Sequence, residues 1–270
     1  MAVELLPDAL WAEIEPLLPE HDPSPSIDGG RPRIPDRVAL KGIIFVLTYS
    51  IPWNKLPKDL GFGSGRTCLR RLQEWQEAGV WAALHQKLLA HLNQADQIDW
   101  SRAAVDAGSV PSPLGGEDTG PNPTDRGKLG TKHHLLVDRN GLPLAVALSA
   151  ANTHDSQVFI PLLDGARAIA GKRGRPRWRP HKLHADKGYD FRFCRDYLRR
   201  QGILHRIARR GIESKERLGR HRWVVERTIS WLHRFRRLRI RYDKRSAIHL
   251  AFLLLACSII AWRFVQRFCH

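Results

Sequence analysis

Two apolar runs, TKHHLLVD at 131–138 and LPLAVALSA at 142–150, flank the turn Arg139-Asn140-Gly141. Asn-Gly adopts the positive-φ conformations of a tight hairpin, and the flanking runs read as strands. Further strands are expected at 97–110, 182–186 and 203–208, with helices at 155–170 and 191–201, a long one at 222–242, and an apolar one at the C-terminus. Strands that alternate with helices after a hairpin predict a mixed α/β layer fold. A polar insertion, GGEDTGPNPTDRGK at 115–128, separates the first strand from the hairpin.

The chain before the first strand has another character. Apolar residues recur at helical spacing in 7–18, 37–50 and 81–93. Asp36 is placed to cap the second helix. Ser64 is placed to cap another that runs to Ala78 and stops at Gly79. HDPSPSIDGGRPRIP at 21–35 reads as a loop. Residues 1–95 are therefore expected to form an all-helical unit, and 96–270 the α/β unit.

Charge is concentrated in the second unit. Residues 171–245 hold 26 Lys and Arg against 7 Asp and Glu, a net +19, whereas the rest holds 18 against 20, a net −2. Trp, Leu and Ile interrupt the arginines, unlike the composition of a disordered basic tail. A basic block of this kind predicts a polyanionic partner, nucleic acid above all. Cys68, Cys194, Cys257 and Cys269 form no CxxC pair and no metal-ligand spacing, which fits a reduced, cytoplasmic protein. The first residues lack the basic n-region of a signal peptide. The apolar run 251–262 is shorter than the roughly 20 residues of a membrane span and is expected to be a buried helix.

Inside RWVVERTISWLHRFRRLRIRY, 222–242, Glu226 is the one acidic residue. At about 100° per residue, Val224, Val225, Ile229, Trp231, Leu232, Phe235 and Leu238 share a broad face, and Glu226 falls on a stripe with Arg222, Ser230, His233 and Arg237. An Arg222–Glu226 ion pair is the simplest explanation of such a carboxylate. Two other acids widen the choice. Asp106 follows AAV on one expected strand, and Asp186 follows LHA on another. A carboxylate on an apolar strand requires a partner, and a divalent metal is one. Carboxylates from separate elements suit Mg²⁺, and in a polyphosphate-binding protein they suggest phosphoryl transfer by two metal ions.

WAEIEPLLP, GRPRIPDRVALKGIIFVL, IPWNKLPKDLG and EWQEAGVW, followed by TGPNPTDRGKLGTKHHLLVDRNGLPLAVALSAANTHDSQ, HADKGYD and RWVVERTISWLHRFRRLRIRYD, resemble in order the blocks of the DDE transposases of bacterial insertion sequences, specifically the IS five family. The resemblance covers nearly the whole chain. It implies a ribonuclease-H-like mixed sheet with flanking helices, preceded by a small helical N-terminal domain. It also implies an enzyme that binds the ends of an insertion sequence and catalyses metal-dependent strand cleavage and strand transfer. Asp106, Asp186 and Glu226 would be its catalytic, metal-binding triad, with two Mg²⁺ ions and Mn²⁺ able to substitute. The implied partners are the terminal inverted repeats and target DNA, with a homodimer or higher assembly on DNA and no membrane. A silent DNA-binding relative and a resolvase-like nuclease are the alternatives.

The third block of the family reads Tyr, two residues, Arg, three residues, Glu, six residues, Lys. Arg222 and Glu226 match it, whereas Gly219 replaces the tyrosine and His233 the lysine, with Arg234 next to it. Arg222, His233, Arg234 and Arg237 are the DNA contacts expected in this segment. Arg66, Arg70 and Arg71 stand near the start of a helix, as base-reading residues do in a helix-turn-helix. Because 1–94 is not net basic, dimerisation is the rival role for this region. Asp138 reads as a turn residue, Asp155 as a helix cap or an active-site residue, Lys187 and Tyr189, next to Asp186, as approaching DNA or as plain surface, and one of His133 and His134 as facing inward.

Overall fold

The computed structural model describes residues 4–20, 33–171, 179–209 and 215–268, without the side chains of 168 and 215–221. Most of the expected loop at 21–35, and parts of the basic block at 172–178 and 210–214, lie outside the described residues.

Four helices come first: α1 (Asp8–Ile14), α2 (Asp36–Tyr49), α3 (Gly65–Glu77) and α4 (Val80–Gln94). Ser64 caps α3, its hydroxyl accepting the Thr67 amide at 3.1 Å. Gly79, at φ +74°, makes the corner between α3 and α4. Asp36 does not cap α2. Pro35 holds that position, and the Asp36 carboxylate turns instead to Arg33 and Arg71, both at 3.2 Å.

The sheet is built from β1 (Ala103–Pro111), β2 (Gly120–Pro121), β3 (Leu129–Asp138), β4 (Pro143–Ala150), β5 (Lys182–Ala185) and β6 (Leu204–Ile207). β3 is antiparallel to both β1 and β4, whereas β5 is parallel to both β1 and β6. The order is therefore β4-β3-β1-β5-β6, with β2 on β3 beside the end of β4. Helices α5 (Asp155–Gly165), α6 (Arg192–Arg200), α7 (Lys215–Leu232) and α8 (Ser246–Phe268) flank it. β3 is buried along nearly its whole length, so both faces are covered. Both His133 and His134 are consequently buried, not one of them: His133 meets His249 of α8, Nε2 to Nε2 at 2.8 Å, and His134 meets the Ser149 hydroxyl at 2.8 Å.

Helix α8 is 23 residues long, which by length and composition is enough to cross a bilayer, yet it lies mostly buried inside the fold. One continuous apolar cluster joins it to the N-terminal helices. Trp53 stacks on Phe252 at 5.8 Å, and the His85 ring nitrogen reaches the Pro143 carbonyl at 2.9 Å.

The expected helix 222–242 is displaced. α7 starts earlier and ends at Leu232, and a 3₁₀ turn follows at Arg236–Leu238. Phe235, Arg237 and Leu238 are all buried there. Arg237 gains Asp243 as a bidentate partner at 2.9 and 3.2 Å, and Arg239 donates to the His233 carbonyl at 2.6 Å. Those contacts need a compact turn, so tertiary pairing overrides the helical pattern.

Candidate active site

The hairpin turn fixes α7 over the sheet. Asp138 is a turn residue as expected: its carboxylate accepts the amides of Asn140, Leu142 and Asp99 at 2.8–3.0 Å. Burial nevertheless pushes its pKa up to about 6. Gly141 sits at φ +85°, and a Cβ there would stand 2.9 Å from the Thr228 hydroxyl of α7. Thr228 donates to the Gly141 carbonyl at 2.7 Å, and Arg227 donates to the Asn140 carbonyl at 2.7 Å. Further along, α7 crosses β1 with Ile229 against Gly108, where a Cβ would meet it at 3.4 Å.

β1 and β5 pair Ala103 with Leu183 and Ala104 with His184. The same register continued by two residues brings Asp106 level with Asp186, just past the end of β5. Asp186 caps the short turn that follows, its Oδ1 accepting the Gly188 amide at 2.8 Å. Asp106 faces α7, and its Oδ2 accepts a hydrogen bond from Arg222 at 2.8 Å. Glu226, one turn further along α7, is exposed, and its charge reaches Arg222. The ion pair at this site is thus Arg222–Asp106.

The electrostatics show how much this pairing satisfies. Burial lowers the Arg222 pKa, but Asp106, Asp186 and Glu226 together outweigh it, so the guanidinium is held more firmly charged than usual. Burial raises the Asp106 pKa, and Asp186 adds to the rise, beyond what Arg222 offsets. One guanidinium therefore leaves the buried carboxylate short of positive charge. Among the described residues no three His, Cys, Asp or Glu side chains are grouped tightly enough to hold a metal ion. The donor chemistry still fits a hard divalent cation: all three acids offer oxygen, and a guanidinium stands as the cation among them.

The expected DNA contacts separate into two groups. Arg234 and Arg66 are exposed, and the Arg70 side chain is 66% exposed beside Glu74. Arg237 and Arg71 are corrections. Arg237 is buried on Asp243, Tyr242 and Phe252. Arg71 is 1% exposed and paired with Asp36 and Glu74. A buried guanidinium already held by carboxylates is not at a surface where phosphate would be met. His233, just past the end of α7, is half-buried, and its pKa is lowered, by burial first and then by Arg239, which favours the neutral ring. It does not supply the charge of the lysine it replaces.

Two residues near the acids differ from expectation. Tyr189 is not at the surface: it is 1% exposed, packs on Phe159, and its hydroxyl has no partner. Its pKa is raised by burial and then by Asp155, Asp106 and Asp186, which places it among those carboxylates. Asp155 is not the cap of α5. The His154 ring accepts the Ser156 amide, whereas Asp155 pairs with Lys132 at 2.7 Å. Only the packed sheet could reveal this second charged pair, because Lys132 comes from β3.

The family model described as "Transposase DDE domain" matches residues 101–261, more than half of the chain, and the model described as "Putative transposase of IS4/5 family" matches residues 6–85. Over 149 residues the chain is 51% identical to "Putative transposase for insertion sequence element IS402" of Burkholderia cepacia, a match covering 55% of this chain and 71% of that protein. Over 123 residues it is 50% identical to "Insertion element IS402 uncharacterized 16.2 kDa protein" of the same organism, covering 46% and 84%. Among solved structures, "Crystal structure of the catalytic domain of Mos1 mariner transposase" aligns with 67% of this chain and 91% of that one at 15% identity, but its TM-score of 0.29 is too low to bear on the fold. These sequence matches define a class, the metal-dependent enzymes that cut DNA strands and join them to new ones. Within that class the chain belongs to the DDE transposases of bacterial insertion sequences.

Proposed function

We propose that Asp106, Asp186 and Glu226 are the catalytic acids of this transposase and the ligands of its divalent metal. The observation that carries the reading is the level placement of Asp106, within β1, and Asp186, just past the end of its parallel neighbour β5, with Arg222 and Glu226 one turn apart on the helix above. The strand order, with an antiparallel β4-β3-β1 half and a parallel β1-β5-β6 half, supports a ribonuclease-H-like domain over 96–270. Residues 1–95 form its helical companion, which reads the terminal repeats through Arg66 and Arg70 or else dimerises.

Mg²⁺, with Mn²⁺ as substitute, would supply polarisation of the scissile phosphate and a more acidic attacking hydroxyl. The chain's own part is to present oxygen donors from a central strand, the end of its parallel neighbour and one helix. Arg222 and Arg234 bring the backbone of the element end to that helix, as guanidinium groups do for phosphate. Bringing two ends together calls for a dimer or higher assembly on DNA, and the cytoplasm is the compartment that holds such DNA.

The test uses purified Asp106→Asn, Asp186→Asn and Glu226→Gln with labelled element ends and Mg²⁺. Each is expected to lose cleavage and joining while retaining end binding. A variant that cleaves at the wild-type rate removes its residue from the triad.

A further inference from the structure

We infer that Arg222 is a latch on the metal site: it holds Asp106 until phosphate of an element end draws it away, so that metal loading is coupled to DNA binding. This rests on the assignment of Asp106 as a metal ligand, and it adds a role for Arg222 beyond contacting DNA.

Three observations carry it. First, Arg222 donates to Asp106 Oδ2 at 2.8 Å, and the Oδ1 atom accepts the amide of Ala107 at 2.9 Å. Both carboxylate oxygens are thus engaged, and a divalent ion bound at Oδ2 would stand beside the guanidinium, a like charge competing for the same oxygen. Second, the grip is strong. Both side chains are only 17% exposed, and Asp186 and Glu226 add their pull on the same guanidinium. Third, the paired arrangement leaves polar atoms unsatisfied in the site: Arg222 Nε and the Tyr189 hydroxyl are both buried without a partner. Buried donors of this kind favour another arrangement that satisfies them. A guanidinium turned out to a phosphate offers Nε a partner, and a released Asp106 or Asp186 can accept from Tyr189.

The exchange has a direction set by charge. DNA phosphate competes with Asp106 for Arg222, whereas a divalent ion competes with Arg222 for Asp106. The two ligands therefore assist each other through Arg222 and Asp106, and by linkage the assistance is reciprocal. A transposase free of DNA would then hold metal weakly.

The experiment measures Mn²⁺ binding to the DNA-free protein by the paramagnetic resonance signal of the free ion, with thermal melts to verify folding. Arg222→Gln is expected to bind Mn²⁺ roughly tenfold or more tighter than wild type, since a charge-assisted pair no longer has to be broken. Arg222→Lys, with its single-point contact, is expected to lie between and carries the test if the glutamine variant does not fold. Arg234→Gln removes the same charge from an exposed site and is expected to change little. Asp106→Asn is expected to bind Mn²⁺ more weakly than wild type. If Asp106→Asn is weakened but neither Arg222 variant is tightened, or if Arg234→Gln tightens equally, the latch is wrong and the metal assignment stands. If Asp106→Asn binds Mn²⁺ as wild type does, the assignment falls and the latch falls with it.

The DNA side is read by end binding in EDTA. Asp106→Asn is expected to tighten it in the wild-type background and to have a smaller effect in the Arg222→Gln background, as a double-mutant cycle reports. An equal gain in both backgrounds overturns the release by DNA.

Discussion

Arg222 and Arg237 belong to one basic segment, fifteen residues apart, and each is paired with one aspartate. Arg237 meets Asp243, six residues along the same turn, in two hydrogen bonds, with the Tyr242 and Phe252 rings around it. Arg222 meets Asp106, 116 residues away on the sheet, through one hydrogen bond and with its Nε unsatisfied. A local, bidentate and enclosed pair is a building element. A distant, single-bonded pair between a strand and a helix is the one proposed to exchange for another ligand. Charge density along the sequence does not distinguish them, but the origin of the partner does.

The sharpest test of the difference is catalytic. Glu226→Gln keeps size and helix propensity while removing a charge that the Arg237 region does not need. In a strand-cleavage assay with Mg²⁺ it is expected to lose roughly 10³-fold or more, the scale of a lost metal ligand. Its melting temperature should barely move, because Glu226 is exposed. An Arg222–Glu226 ion pair as its only role predicts the reverse: intact cleavage and a few tenths of a kcal/mol of stability.

Arg237→Ala should behave oppositely. It leaves Asp243 buried without its cation, which costs on the order of 3–5 kcal/mol in a denaturant melt. Arg222→Gln should cost less, because it keeps a hydrogen-bonding amide beside Asp106, whereas Arg237→Ala removes both donors to Asp243 and puts none in their place. Equal losses in the two variants would break the comparison.

Much of this arrangement was legible in the residues. The Asn-Gly hairpin, the strands carrying Asp106 and Asp186, the Ser64 cap and the helix with Glu226 follow from spacing and turn chemistry. The end of α7 did not, because Phe235 and Leu238 continue the helical pattern and only Asp243 reveals the turn. Arg71 read as a surface contact because its partner Asp36 looked like a cap. Tyr189 read as surface because it follows Lys187 and Gly188, whereas the fold turns its ring onto Phe159. For Arg71 and Tyr189 a partner distant in sequence overrode the local signal, and for the end of α7 a partner six residues on did so.

Acid provides a third probe, which acts on the interior and not on the catalytic edge. Burial lowers the pKa of His85 to about 4, His133 to about 3 and His134 to about 4, and that of His249 well below its ordinary value. Such groups bind protons in the unfolded chain before the folded one. Stability should therefore fall as pH drops from about 6.5 toward 4, by about 1.4 kcal/mol per pH unit for each histidine titrating only when unfolded. Asp138 acts with the opposite sign. Its pKa, raised to about 6, stabilises the fold at low pH, and that contribution is lost as pH rises from about 4 to 6. Urea melts between pH 7 and 4.5 should show the net fall, and His85→Gln should reduce the slope by about one proton. An unchanged slope would mean that His85 is protonated in the fold.

The smallest expected effect concerns the exposed member of the segment. Arg234 follows the end of α7 with its side chain in solvent. Unlike Arg237 and Arg222 it forms no ion pair with a buried aspartate among the described residues. The role proposed for it is a phosphate contact. Arg234→Ala should leave the melt within about 0.5 kcal/mol of wild type, as surface substitutions do. End-DNA affinity should weaken by a modest factor, with similar losses on unrelated duplex, because phosphate contacts carry no sequence information. The salt dependence is the discriminating measurement. Each phosphate contact on duplex DNA contributes about −0.9 to the log–log slope, so the variant's slope should be shallower by about one unit. An unchanged slope would place the DNA elsewhere on the molecule. A larger change, with a lowered melting temperature, would mean that Arg234 shares the structural role of Arg237.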